Sequence, residues 1–243
     1  MGKIWSLDKP VVRMLGRFGI FVVVLALAAG LYVTKKVAEA DRYYRYRHLD
    51  QDGDTVLDDQ DEDVDGDGLV NISDADANDN GSENWEDAVG AARGLVGKHV
   101  DYLGGRFGNL GVKMGWFRSA DVVLVAYEKA GVFLAREIAA DAAQDPDAYA
   151  DLRSGAKVDV HNARALARYF KRKRWMLPSW RLASPGDVLL FGDRFVALVT
   201  APWDDTGYDV IWANPSAGKV ESSNTRILDG NGHEPTGAAV IGE

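Results

Sequence analysis

The 243-residue chain has no cysteine. Disulfides, thiolate metal sites and a cysteine nucleophile are therefore excluded. The compartment stays open, because an envelope protein can lack disulfides altogether. Histidine is nearly as scarce, with only His48, His99, His161 and His233. No P-loop, dinucleotide or zinc motif occurs. The glycine-rich run GGRFGNLG at 104–111 has no clear strand before it, so it does not read as a phosphate cradle. The most informative absence is local. Residues 49–92 contain no lysine or arginine and 16 acidic residues. Taking those 16 from the chain's 37 acids leaves 21 against 28 bases, so the formal net charge of -9 hides a basic remainder. Two parts of opposite charge are joined. No nucleic-acid partner is expected.

What fills the acidic stretch is a repeat. Residues 49–87 read LDQDGDTVLDDQDEDVDGDGLVNISDADANDNGSENWED, three copies of one loop with a period of 13. Asp50, Asp63 and Asp76 open the copies. Position 3 holds Asp52, Asp65 and Asn78, and position 5 holds Asp54, Asp67 and Asn80. Position 6 holds Thr55, Gly68 and Gly81. Position 9 holds Asp58, Asn71 and Asn84, and position 12 holds Asp61, Asp74 and Asp87. This is a set of oxygen ligands in the order that a hard cation requires. Calcium takes about 6–8 oxygens around a tight turn, one of them a backbone carbonyl at position 7, here Val56, Leu69 or Ser82. An acidic tract is more often a solvated linker. A random one would not keep oxygen-bearing residues in register over three copies. Two to three calcium ions are expected. Affinity should be modest, because aspartate replaces a bidentate glutamate at the closing position and asparagines weaken the third copy.

These loops resemble thrombospondin type 3 repeats and, more distantly, dockerin and EF-hand loops. One residue separates successive copies (Glu62, Ala75), which leaves no room for flanking helices. The resemblance implies a rod-like, calcium-filled stalk.

Residues 1–17 carry Lys3, Lys9, Arg13 and Arg17 against one acid, Asp8, and form the expected cytoplasmic N-terminus. Residues 18–34, FGIFVVVLALAAGLYVT, are apolar and uncharged, at the short end of a membrane span. Ala38-Glu39-Ala40 has the small-x-small pattern of a cleavage site, but Lys35 and Lys36 follow the apolar run at once. An uncleaved signal anchor is favoured. Residues 35–48, KKVAEADRYYRYRH, are expected to continue the helix outward, with tyrosines and arginines suited to headgroups. Lys35, Lys36, Arg42, Arg45 and Arg47 rival the N-terminal bases, so charge alone does not set the orientation. Scarce cytosolic calcium places the loops, and the bulk of the chain, outside.

Residues 88–243 read as a globular α+β domain. Helices are expected over 86–100, with Asn84 as a cap, over 119–130, over 134–143 and over 160–174. The last has an apolar stripe (Ala163, Leu166, Ala167, Phe170) and a basic one (Arg164, Arg168, Lys171, Arg172). The basic stripe suits anionic lipid, wall polymer or an acidic partner, or is simply solvated. Short apolar runs then follow at 187–191, 195–200, 208–213, 219–222 and 238–241, separated by turn residues. Helices first and an antiparallel meander after them indicate an α+β fold.

SADVVLVAYEKAG, VDVHNARALARYF, SPGDVLLFGDRFVALVT, VIWANPS and PTGAAVIG together resemble the NlpC-type, papain-like cell-wall peptidase superfamily. The likeness spans about 86–243 and is nearest to a bacterial family of unknown function. It implies helices packed on an antiparallel sheet, and a site in which the chain departs from the family at each position. Ser119 stands where the family has its nucleophilic cysteine, and Phe195 where its histidine opens the second strand. Trp212 and Ala213, with Asn214 beside them, stand in the region of the polar partner. Near the middle helix Val160 takes the place of a histidine, with His161 next to it. A serine hydroxyl needs a base more than a thiol does. The expectation is therefore a pseudoenzyme: Ser119 a helix N-cap, His161 and His233 surface residues. The whole would be a single-span protein of a bacterial inner membrane, its bulk periplasmic or extracellular. It would act as an accessory subunit of a membrane complex or bind cell wall. The alternatives are a peptidoglycan peptidase or amidase using Ser119 with His99 or His161, and an adhesion module.

Overall fold

The computed structural model describes residues 22, 25–32, 34–35, 49–100, 116–154 and 157–242. The chain divides into two compact units, Met1–Tyr46 and Arg47–Glu243. In the first, the described residues are helical. No helix among the described residues is long and apolar enough to cross a membrane. The expected span 18–34, the expected juxtamembrane helix 35–48 and the glycine-rich run 104–111 lie wholly or partly outside the described residues.

The second unit is α+β. Its helices are α1 (Asn84–Leu95), α2 (Ser119–Lys129), α3 (Leu134–Gln144), α4 (Ala163–Lys173) and the short α5 (Thr225–Gly230). Its strands are β1 (His99–Val100), β2 (Trp116–Phe117), β3 (Arg153–Ser154), β4 (Lys157–Val158), β5 (Val188–Phe191), β6 (Phe195–Val199), β7 (Asp209–Asn214), β8 (Lys219–Asn224) and β9 (Gly237–Ala239). Seven of them form one sheet in the order β2-β1-β8-β7-β6-β5-β9, and β3 and β4 form a separate hairpin. All pairs are antiparallel except β1 with β2.

The sheet is covered on both faces, which is why β5 and β6 are buried along their whole length. Residues pointing to opposite sides of a strand must then both be apolar. One face packs on α2, which is buried from Ala120 through Glu128 and lies against α1, β6 and β7. The middle of α2, residues 122–126, is apolar all round, as suits the centre of a fold, while buried Asp121 and Glu128 lie toward its two ends. The other face carries Leu189, Phe191, Phe195, Ala197, Val199, Tyr208, Val210 and Trp212, closed over by Leu228 of α5 with Leu177 and Trp180.

Several expected boundaries move, each for a local reason. Helix α1 ends at Leu95 and not near 100: Gly97 takes φ +86, and the chain turns into β1. Asn84 is the first helical residue, not the cap. Helix α4 starts at Ala163, because Asn162 Oδ1 accepts the Arg164 N–H at 2.9 Å, and it stops at Arg174, which is left-handed at φ 65. Ser119 is likewise not an N-cap. Arg118 takes that place, and its N–H donates to Asp121 Oδ2 at 2.6 Å.

Candidate metal centre in the repeat loops

The three copies fold alike. Position 4 is left-handed in each (Gly53 φ 78, Gly66 φ 74, Asp79 φ 45), and so is position 6 (Thr55 φ 81, Gly68 φ 94, Gly81 φ 85). The opening carboxylate accepts the N–H of position 6: Thr55 to Asp50 at 3.2 Å, Gly68 to Asp63 at 2.9 Å and Gly81 to Asp76 at 2.9 Å. Position 5 accepts from position 7: Val56 to Asp54 and Leu69 to Asp67, both at 2.7 Å, and Ser82 to Asn80 at 2.8 Å. Position 9 accepts from position 2: Gln51 to Asp58 at 3.0 Å, Val64 to Asn71 at 2.8 Å and Ala77 to Asn84 at 3.0 Å. Short Asp and Asn side chains that cap their own turn are what make so tight a loop stable.

These bonds turn the carboxylates onto one another. One oxygen from each of Asp50, Asp52 and Asp54 lies within 4.8 Å of the others, and the same holds for Asp63, Asp65 and Asp67. Burial raises the Asp65 carboxyl above its ordinary value, and the charges of Asp67, Asp74 and Asp63 add to the shift. Burial likewise raises Asp58, with Asp50 and Asp61 adding to it. The closing residues Asp61 and Asp74 therefore act on their own loops, while each also accepts an N–H of the next copy, from Asp63 at 2.9 Å and Asp76 at 3.0 Å. Asp63 Oδ1 is enclosed with no hydrogen-bond partner. An enclosed, partnerless anionic oxygen among like charges is costly unless a cation completes it. In these two copies the residues present fit a hard divalent cation.

The third copy differs. Asn78 Nδ2 and Asn80 Nδ2 both donate to Asp87 Oδ2, at 3.0 and 2.5 Å. Asn78 Nδ2 also lies 3.3 Å from the Lys129 carbonyl, while Asn78 Oδ1 is enclosed without a partner. Asn71 and Asn84 work as clips between copies. Besides accepting from position 2, they donate to the Asp61 carbonyl at 2.9 Å and the Asp74 carbonyl at 2.7 Å.

The loops do not stand away from the domain as a rod. They belong to the same compact unit, and they dock on it through named contacts. The Arg136 guanidinium donates to the Asp61 carbonyl. A Cβ on Gly131 would lie 2.9 Å from the Ala77 carbonyl, and one on Gly242 would lie 3.0 Å from that of Ile72. Val64 and Ala77, both at position 2, are buried. Within the array, Gln51 Nε2 donates to the Asn78 carbonyl at 2.6 Å, so the first copy folds back on the third. The period of 13 fixes the loops and leaves open whether the string extends or curls. Apolar position 2 residues and glycines at the contact points decide for curling.

At the position of the expected nucleophile, half-buried Ser119 is the first residue of α2. Two residues on, Asp121 is 2% exposed, and its Oδ1 lies 2.6 Å from His161 Nδ1. His161 is itself 13% exposed, so it is not a surface residue. Arg118 pairs bidentately with Asp159, both bonds at 2.8 Å. The hydrogen bonds of the described residues include none between the Ser119 hydroxyl and His161.

Phe195 opens β6 as expected, and it is enclosed by aromatics. It stacks on Phe191 at 4.3 Å between centroids, tilts against Trp212 at 4.6 Å and meets the His233 ring edge-on at 5.2 Å. His233 is therefore packed against the sheet, with its Nδ1 enclosed, and is not a plain surface residue either. Asn214 Nδ2 donates to Glu221 Oε1 at 2.5 Å. His99 is exposed in β1, not at a helix end, and His48 lies outside the described residues.

The three arginines on the basic face of α4 are paired within the domain, and Lys171 beside them is exposed. Arg164 and Arg168 pair with Asp151, and Arg172 pairs with Asp141 at 2.6 Å and Asp145 at 2.9 Å. The His161–Asp121 and Arg118–Asp159 pairs join residues about 40 apart in sequence, so no local spacing could reveal them. No family model matches the chain, and no curated protein matches it.

Proposed function

We propose that the protein is a membrane-tethered, calcium-stabilised envelope protein whose papain-like domain serves as a structural or binding subunit and not as a hydrolase. Its place is the inner membrane of a bacterium, with the bulk of the chain in the periplasm or outside. The observation that carries the non-catalytic reading is the packing of Phe195. An aromatic cluster occupies the ground where the resembled family has its base, and a buried phenyl ring can neither take nor give a proton. Calcium is supported by the two carboxylate triads and the enclosed Asp63 oxygen. Docked loops would brace the domain, and a loaded ion would stabilise the folded state in proportion to its occupancy. Cell-wall peptide or the surface of a larger membrane complex is the partner that fits such a domain.

Thermal unfolding of the full chain in detergent, with calcium and with chelator, tests the metal. A melting temperature unchanged by calcium would remove it. Carbonate extraction of membranes tests the anchor: release of the chain into the supernatant would remove the tether.

A second reading rests on one observation, the His161–Asp121 pair, whose carboxylate stands two residues after Ser119 in α2. A carboxylate holding an imidazole is two of the three parts of a serine hydrolase, and Ser119 would have to supply the third. Muropeptide release from purified peptidoglycan decides between the two. Release abolished by both Ser119→Ala and His161→Ala would establish the hydrolase. No release leaves the binding role.

A further inference from the structure

The third loop is closed by groups that need no ion. Positions 3 and 5 hold Asn78 and Asn80 where the first two copies hold aspartates. Their amide nitrogens point at the closing carboxylate, Asp87, from 3.0 and 2.5 Å. In loops 1 and 2 the corresponding groups are carboxylates, which bond to backbone N–H groups and cannot donate to the closing carboxylate. Calcium accepts neutral carbonyl oxygens but draws most of its affinity from carboxylates, and loop 3 has two fewer of them than loop 2, with the amide nitrogens of Asn78 and Asn80 turned to Asp87. Lys129 also lines the pocket of about 350 Å³ shared by Asn80, Asp87 and α1.

The same bonds fasten the loop to the domain. Asp87 belongs to α1 and Lys129 ends α2. Asn78 reaches both, since its nitrogen also lies 3.3 Å from the Lys129 carbonyl. Beside it, the Ala77 carbonyl leaves no room for any side chain at Gly131.

We propose that loop 3 is a calcium-independent clamp, in which Asn78 and Asn80 bound to Asp87 replace an ion. The array then takes two calcium ions and stays attached to α1 and α2 whether calcium is present or not. The stoichiometry rests on reading loops 1 and 2 as calcium sites; the clamp itself does not. Residues 78 and 80 decide which loops are metal sites, and the remaining loop keeps the array in register on the domain when calcium is low.

The experiment uses the full chain in detergent. Calorimetric titration with calcium should give two ions per chain. The Asn78→Asp/Asn80→Asp variant, which restores the carboxylates of the other copies, should give three. In chelator, hydrogen exchange should be fast over 50–67 and protected over 76–87. The double Asp variant should lose the protection over 76–87 and regain it with calcium. The Asn80→Ala variant should lose part of it in either condition. Three ions bound by the unaltered chain, or equal exchange of all three loops in chelator, would overturn the clamp. If no calcium binds at all, the metal reading falls. The protection of 76–87 in chelator, and its loss in Asn80→Ala, still decides the clamp.

Discussion

Asp63→Asn should change the sign of its effect with calcium. In chelator, Asp63 holds an enclosed oxygen with no donor, and its carboxylate lies within 4.8 Å of those of Asp65 and Asp67. Like charges that far apart repel by about 1 kcal/mol per pair at a solvent-like dielectric. An unsatisfied buried group adds roughly 1–3 kcal/mol. The amide removes the charge and keeps an oxygen for the Gly68 N–H, so the variant should be more stable by about 1–2 kcal/mol. With calcium at about 100 times its dissociation constant, the ion contributes about 2.7 kcal/mol to the unaltered chain. If the lost ligand weakens affinity about 100-fold, nearly all of that contribution goes, and the variant becomes the less stable protein by about 1 kcal/mol. For a unit of this size, about 2–4 °C corresponds to 1 kcal/mol. Calorimetry should therefore show a rise of several degrees in chelator and a fall of a few degrees in calcium. A shift of the same sign in both would refute the placement of a cation at Asp63.

Three further outcomes follow. Thr55 is a β-branched residue at φ 81, where the other copies have glycine. Thr55→Gly should stabilise by about 1 kcal/mol in chelator, and Gly68→Thr, which meets nothing within 4 Å, should destabilise by about 1–2 kcal/mol through backbone strain alone; melting temperatures measure both. The Asp58 carboxyl titrates above 3.8 in the folded chain, so the folded state holds its proton longer than the unfolded one. Stability in chelator should then fall as pH rises through that window and stay lower above it. Asp58→Asn should flatten this dependence and be the more stable form at neutral pH, which denaturant titrations at several pH values will show. His161→Ala removes a 2.6 Å partner of buried Asp121. The cost should be about 1–3 kcal/mol in urea unfolding, and Asp121→Asn should lose less than that.

Within residues 49–87 the sequence determined a great deal. Side chains that hydrogen-bond backbone N–H groups within the same 13-residue copy need only local spacing, so the turn geometry of each copy was legible from its Asp, Asn and Gly positions. The apolar runs of β5, β6 and α2 were legible for the same reason, since burial on all sides leaves an uninterrupted apolar stretch. The tertiary structure decided what touches what. Whether Asn78 serves a metal or a carboxylate depends on where Asp87 lands when α1 packs on α2. Whether Arg164, Arg168 and Arg172 bind lipid or their own domain depends on Asp151, Asp141 and Asp145 from neighbouring elements. His161 looked like a surface residue until the fold set Asp121 against it from 40 positions away. Packing decides such pairs, because the free energy of a charge depends on the groups that surround it and not on its neighbours along the chain.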